Sequence, residues 1–182
     1  MRVENTGWQG MEYRARDGLT VLHRDRMWVK EISCEGAVTH HNWTDNYLAV
    51  REAVGVSWPG YVLHEAVCWS PVRRQWTFLP RRISRERFNR QTVERVGANM
   101  IITADETFTT FSTVRLGRDI PGRGFSSCKF IPGTEDRLMV GLRTEEVGPV
   151  VATYITVFDI QGRILLSDTK IGNRKYEGLE FL

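Results

Sequence analysis

From Tyr61 onward the chain resolves into short runs rich in Val, Ile, Thr and aromatic residues, separated by turn-forming residues. Runs of this kind read as strands. The pattern predicts strands over 61–69, 75–82, 99–104, 109–116, 124–131, 137–144, 149–159, 162–168 and 176–182. The stretches "IPGTEDR" and "DIQGR" are turn signals. Upstream, "MWVKEIS" (27–33) reads as a further strand. One segment has a different period. In "NWTDNYLAVREAVGV" (42–56), Trp43, Tyr47, Val50 and Val54 recur at helical spacing, which predicts one short helix near 43–56 that Pro59-Gly60 stops. Residues 1–26 are polar and weakly patterned, and "RERFNRQTVERVGAN" (85–99) is a long connection, a kind that often carries function. The division expected is a weakly patterned segment, 1–26, followed by one β domain, 27–182.

The strands contain a repeat. "HEAVCW" (64–69), "FSSCKF" (125–130) and "YEGLEF" (176–181) each read ring, Glu or Ser, any residue, apolar, any residue, aromatic. Strand periodicity places Glu65, Val67 and Trp69 on one face, and likewise the matching residues of the other copies. Each copy therefore projects one oxygen-bearing side chain, Glu65, Ser126 or Glu177, at the start of a buried face. In a β-propeller the first strand of each blade lines a central channel, and these three oxygens would converge there.

The second strands repeat as well: "WTFLPR" (76–81) aligns with "LMVGLR" (138–143). Setting Trp69 opposite Trp76 brings Glu65 beside Pro80 and Arg81. Setting Phe130 opposite Leu138 brings Ser126 beside Leu142 and Arg143. Each hairpin then offers a hard oxygen, suited to calcium, with a guanidinium beside it, suited to phosphate. A metal with arginines is what hydrolysis of a phosphoanhydride requires. The plainer reading of Glu65 with Arg81 is a cross-strand ion pair, worth under about 1 kcal/mol if exposed.

Composition narrows the classes. The 182 residues suit one domain; 41% are hydrophobic and 26% charged, as in a soluble globular protein. A net charge of +3 with no dominant basic stripe argues against a nucleic-acid partner. No apolar run is long enough to span a membrane, and the first residues lack the apolar core of a signal peptide. Of the three cysteines, none forms a CxxC pair; Cys68 and Cys128 lie in apolar runs and read as small buried residues. The adjacent His40 and His41 point to opposite sides and read as surface residues, Trp43 and Tyr47 as core.

With these residues in view, the chain from Trp28 to Leu182 resembles the C-terminal half of the soluble calcium-activated nucleotidases, the apyrase family that includes the salivary apyrases of blood-feeding insects. The resemblance runs through "HHNWTDNYLAVREAVGV", "PGYVLHEAVCWS", "WTFLPRR", "GFSSCKFIPGTED", "VATYITVFDIQGRILL" and "TKIGNRKYEGLEFL", in order. It implies an all-β fold, the last two to three blades of a five-bladed β-propeller, with calcium in the channel and hydrolysis of UDP, GDP, ADP and related di- and triphosphates. It carries calcium-ligand roles onto Glu65, Ser126 and Glu177, and phosphate contact onto Arg81, with Glu65 and Arg81 as the catalytic pair. Arg82, Arg87 and Arg143 follow as further substrate-binding candidates. It implies a secreted or secretory-pathway protein. Arg123 stands where related sequences carry His. Nothing in residues 1–26 resembles the family's earlier blades, so the alternative expectation is a shortened, catalytically impaired half-propeller that acts as a binding or assembly module and self-associates through open edges.

Overall fold

A computed structural model describes residues 12–15, 18–23, 28–33 and 35–181. Among the described residues, twelve strands form three antiparallel sheets of four. The first sheet comprises β1 (Glu12–Ala15), β2 (Gly18–His23), β3 (Trp28–Ser33) and β4 (Val38–Asn42), in that order. The second comprises β5 (Tyr61–Ser70), β6 (Gln75–Ser84), β7 (Met100–Asp105) and β8 (Phe111–Arg115). The third comprises β9 (Arg123–Phe130), β10 (Leu138–Val147), β11 (Val150–Asp159) and β12 (Ile164–Gly172). Each sheet is a meander in which sequential strands pair, and the turns after β5, β9, β10 and β11 contain Gly or Pro.

The first strands of the three sheets are neighbours: β1 lies near β5, and β5 near β9. The second and third sheets meet most closely at one backbone contact. A Cβ on Gly124 would sit 1.9 Å from the Arg81 carbonyl oxygen, so only glycine fits there. Ala66, Cys68, Leu79, Phe125, Cys128, Met139 and Phe158 fill the space between these two sheets. The other face of the second sheet buries Val67, Phe78, Ile102 and Ala104 against Val29 of β3 and Val50 of the helix α1 (Thr44–Ala53). Trp43 and Tyr47 pack on this second cluster, Trp43 edge-on to Trp76 at 4.8 Å, in agreement with their expected core role.

Several expectations need correction. Residues 176–181 form no strand; Tyr176 instead donates its N–H to Thr153 Oγ1 at 3.0 Å, and the Arg174 carbonyl accepts from Thr153 Oγ1 at 2.6 Å. Side-chain partners satisfy this backbone, so no ladder forms. The strand β4, "VTHHN", was not expected; its five residues are all exposed and carry no apolar alternation. His40 and His41 lie on it, exposed as expected, with His41 Nε2 3.0 Å from Glu31 Oε2. The helix is shorter than the expected 43–56 because Gly55, at φ 68°, turns the chain out after Ala53. Phe130 pairs with Met139 rather than Leu138, since Ile131 N–H donates to the Leu138 carbonyl (2.9 Å) and extends the ladder by one residue into the turn. Cys68 and Cys128 are buried, as read from the sequence, but are also joined by a disulfide with Cα atoms 6.4 Å apart. Cys34 and Leu182 lie outside the described residues.

Candidate active site

Glu65 and Arg81 belong to paired strands that lose register where they face each other. The pairing Trp69↔Trp76 is the one the sequence suggested, and it runs back to Ala66↔Leu79. It then shifts to His64↔Pro80 and resumes at Leu63↔Arg82, leaving Glu65 and Arg81 outside the paired positions. Pro80 has no N–H to give the ladder, which accounts for the break. In β9 the pairing likewise passes from Ser127↔Leu142 to Phe125↔Arg143, so Ser126 is the unpaired residue of a bulge. Irregularities of this kind re-aim side chains and gather beside functional sites. Two copies of the repeat thus break their ladders at the same repeat position, at Glu65 and at Ser126.

Arg81 is 1% exposed. Its Nε lies 3.6 Å from Glu65 Oε2, its Nη2 3.4 Å from Glu146 Oε2, and its Nη1 donates to the Gly122 carbonyl at 3.2 Å. A second cation, Lys175, closes the group: its Nζ is 3.6 Å from Glu65 Oε2, 3.4 Å from Glu146 Oε2 and 3.1 Å from Glu177 Oε1. Ser126 Oγ donates to the Tyr176 carbonyl at 2.9 Å, one residue from both Lys175 and Glu177. The three oxygen-bearing residues of the repeat are therefore brought to one place, although the third copy is not a strand. Burial pushes the Glu65 carboxyl above its ordinary range, and Lys175 and Arg81 only partly offset that.

The remaining candidates are placed differently. Arg82 donates to the Val93 carbonyl and, at 2.7 Å, to the Val96 carbonyl, pinning the 85–99 connection against β6; burial depresses its pKa. Arg87 is exposed on that connection. Arg143 does not lie beside Ser126 as the register argument expected. Its Nη1 pairs with Asp168 Oδ2 at 3.0 Å, and its guanidinium stacks over the Phe125 ring at 5.1 Å. Phe125 is its direct cross-strand partner, so the two share a face that the bulged Ser126 does not. Asp168 also receives Arg123 (2.9 Å), which reaches Glu145 at 2.7 Å and lies 3.6 Å above the Tyr154 ring. Burial lowers the Arg123 pKa, yet the bonds to Glu145 and Asp168 outweigh it and the net direction is upward.

Sequence reasoning missed Glu146 and Lys175. Their only signals were position: Glu146 stands three residues after Arg143 on β10, and Lys175 directly precedes the third repeat copy. In donor type the site suits a hard divalent cation, with the carboxylates of Glu65, Glu146 and Glu177 and the hydroxyl of Ser126. Among the described residues no three His, Cys, Asp or Glu side chains are grouped as a metal cage. Positive charge among these carboxylates comes from the Lys175 ammonium, which meets all three, and from Arg81, which meets Glu65 and Glu146.

The sequence profile of the family described as Apyrase matches residues 5–182, which extends the resemblance well ahead of Trp28. The chain is 43% identical to "Soluble calcium-activated nucleotidase 1" of Rattus norvegicus over 97% of its own length and 43% of that protein. It is 41% identical to the "Apyrase" of Cimex lectularius over 97% of its length and 48% of the relative. The "Apyrase" of Phlebotomus duboscqi is 38% identical over 91% of this chain and 50% of the relative. The chain thus spans about half the length of the curated relatives it matches. A profile match over nearly all of its residues, set beside relatives at this identity, leaves one conclusion: the chain belongs to the apyrase family.

Proposed function

We propose that this chain takes part in calcium-dependent hydrolysis of nucleoside di- and triphosphates to monophosphates and inorganic phosphate. The observation that carries the reading is the buried Arg81 guanidinium, set between Glu65 and Glu146 at the point where two strands leave regular pairing. Charge spreads over the phosphoryl oxygens as a phosphoanhydride breaks, and a guanidinium already fixed in a low-dielectric site meets that charge without reorganising. The bonds to the Gly122 carbonyl and to Glu146 hold the Arg81 guanidinium, with Glu65 as a looser ion partner. The two carbonyl bonds of Arg82 hold the adjoining strand end, and the exposed Arg87 is free to approach a phosphate from solvent. Arg81 is preferred to Arg143 for phosphate contact, because Arg81 lies in the group formed by Glu65, Glu146 and Lys175, whereas Arg143 lies in the separate cluster of Asp168 and Arg123. Glu65, Ser126 and Glu177 would hold calcium, which when bound would polarise a phosphoryl oxygen and acidify a water.

The names of the relatives support nucleotide turnover and, for the nucleotidase of Rattus norvegicus, calcium activation. The adjacency of β1, β5 and β9 supports reading the three sheets as successive propeller blades. A secretory location is supported by the Cys68–Cys128 disulfide, a bond that persists in oxidising compartments. No described helix is long and apolar enough to cross a membrane.

The test is phosphate release from UDP, GDP and ADP by the purified chain, with calcium and with excess chelator, beside Glu65→Ala. Chelator-sensitive release that falls about 100-fold in the variant is expected, the scale of losing one fixed charge-stabilising group. Absence of release from folded chain with calcium overturns the reading. That outcome favours a second one, a binding or assembly module. Its motivation is the run of exposed apolar side chains Ile164, Leu165 and Leu166 on β12, which suits contact with further polypeptide. Mass in solution separates a lone chain from an assembly.

A further inference from the structure

We propose that Lys175 is the resident cation of the carboxylate site, and that it exchanges with a divalent cation for Glu65 and Glu177. The proposal rests on the calcium reading given above and adds to it a residue that competes for the same oxygens.

The geometry is specific. Lys175 is a lysine with a side chain only 12% exposed, an unusual state for a strongly hydrated ammonium. Three carboxylates from three parts of the fold meet it: Glu65 from β5 at 3.6 Å, Glu146 from the end of β10 at 3.4 Å, and Glu177 at 3.1 Å. Arg81 reaches two of the same three, Glu65 and Glu146. Arg81 is fixed within β6 and donates to the Gly122 carbonyl, so it cannot leave without disturbing the sheet. Lys175 sits in an irregular segment beyond β12, on a flexible four-carbon stem, and can withdraw. The segment is tied down nearby by Tyr176 N–H to Thr153, by Ser126 to the Tyr176 carbonyl, and by Glu180 to Lys129 at 2.8 Å. Breaking the Lys175 contacts to these carboxylates therefore leaves the rest of the segment docked.

Two consequences follow. A positive charge this close to the carboxylates opposes a divalent ion that uses them, so the ammonium lowers the site's affinity for that ion. In the metal-free site it shares with Arg81 the neutralisation of these carboxylates. Lys175 acts as a positioning and affinity-setting residue; it touches neither substrate nor reacting atoms.

The experiment titrates calcium into the full chain and into Lys175→Gln by calorimetry, with Lys175→Arg as the charge-conserving control. Calcium should bind about tenfold or more tightly to Lys175→Gln and with wild-type affinity to Lys175→Arg, the direction set by removing a like charge. A second measurement uses wild-type protein alone, so that it does not depend on any variant folding. Acetylation of Lys175 by an amine-reactive ester, followed by mass spectrometry, should speed up several-fold when calcium is present. Equal affinities in wild type and Lys175→Gln, or a labelling rate that calcium leaves unchanged, overturns the exchange while leaving the calcium reading intact. If neither protein binds calcium at millimolar concentration, the calcium reading fails and the exchange falls with it.

Discussion

Two ionic clusters share strand β10 and are built on opposite terms. Arg143 and Glu145 project from one side of the strand into the cluster with Arg123 and Asp168, whose contacts run from 2.7 to 3.0 Å. Every member belongs to the third sheet, and the pairs Arg123↔Glu145 and Arg143↔Tyr154 are directly opposite in the ladder. Two carboxylates balance two guanidiniums. Glu146, the next residue, belongs to the other cluster, where contacts are 3.1 to 3.6 Å and three carboxylates face two cations. Its members come from the second sheet, the third sheet and an irregular segment, and its strands have left register. The first cluster behaves as a clasp that holds one sheet together. The second is drawn from separate parts of the fold and, at Glu65 and Arg81, lies where the ladder has lost its register, the arrangement expected where stability is given up for binding.

The contrast is open to attack from several sides. The largest effect expected is on the clasp: Asp168→Ala leaves two poorly exposed guanidiniums facing each other and should cost about 3–5 kcal/mol, read from denaturant midpoints. Glu65→Gln should do the reverse. Because burial raises the folded-state pKa of Glu65, the fold favours the neutral carboxyl. A permanently neutral side chain should therefore hold or raise stability at pH 7, although turnover is lost. A drop in stability of the same size in both variants would dissolve the distinction between the clusters.

Next in size is Gly124→Ala. The added methyl would meet the Arg81 carbonyl, and forced separation of β9 from β6 should cost about 1–3 kcal/mol. It should also impair any activity that needs Arg81 in place, so a variant of unchanged stability and turnover would show that the two sheets slide freely. Smallest per unit change is a pH effect beside the site. His64 is buried between Tyr47 and Phe78, each ring about 5.2 Å away, and burial lowers its pKa to about 3. The folded form binds its proton less readily than the unfolded chain. The stability contributed by neutral His64 is thus intact above about pH 6.5 and declines by about 1.4 kcal/mol per pH unit as pH falls toward 3. His64→Phe should flatten that part of the stability profile.

Much of this was legible in the chain itself, for local reasons. The strands of the second and third sheets follow from alternation and turn residues, and Glu65 with Arg81 follows from one hairpin register that the structure keeps, Trp69 to Trp76. Legibility failed where local rules stop. The third hairpin register slipped by a residue because the turn after Ile131 places Glu135 and Asp136 at positive φ, a choice the composition "PGTED" permits but does not specify. The exposed β4 has no apolar period to detect. Glu146 joins the site through packing of the third sheet on the second, and Lys175 through docking of the irregular segment after β12, and no spacing along the chain encodes either. Arg143 was misplaced within its own sheet, because the bulge at Ser126 sets Phe125 opposite it and its partner Asp168 lies two strands away.

The disulfide between Cys68 and Cys128 bears on the denatured chain as well as the folded one. It ties β5 to β9 three residues beyond Glu65 and two beyond Ser126, across a sequence separation of 60 residues. Cross-linking a loop of that length removes about 4 kcal/mol of unfolded-state entropy in the chain-entropy account. An unfolded oxidised chain therefore still holds the two site-bearing strands within a few residues of each other. Refolding begins with one long-range search already confined, and the acidic site reassembles as a neighbour of its own tether.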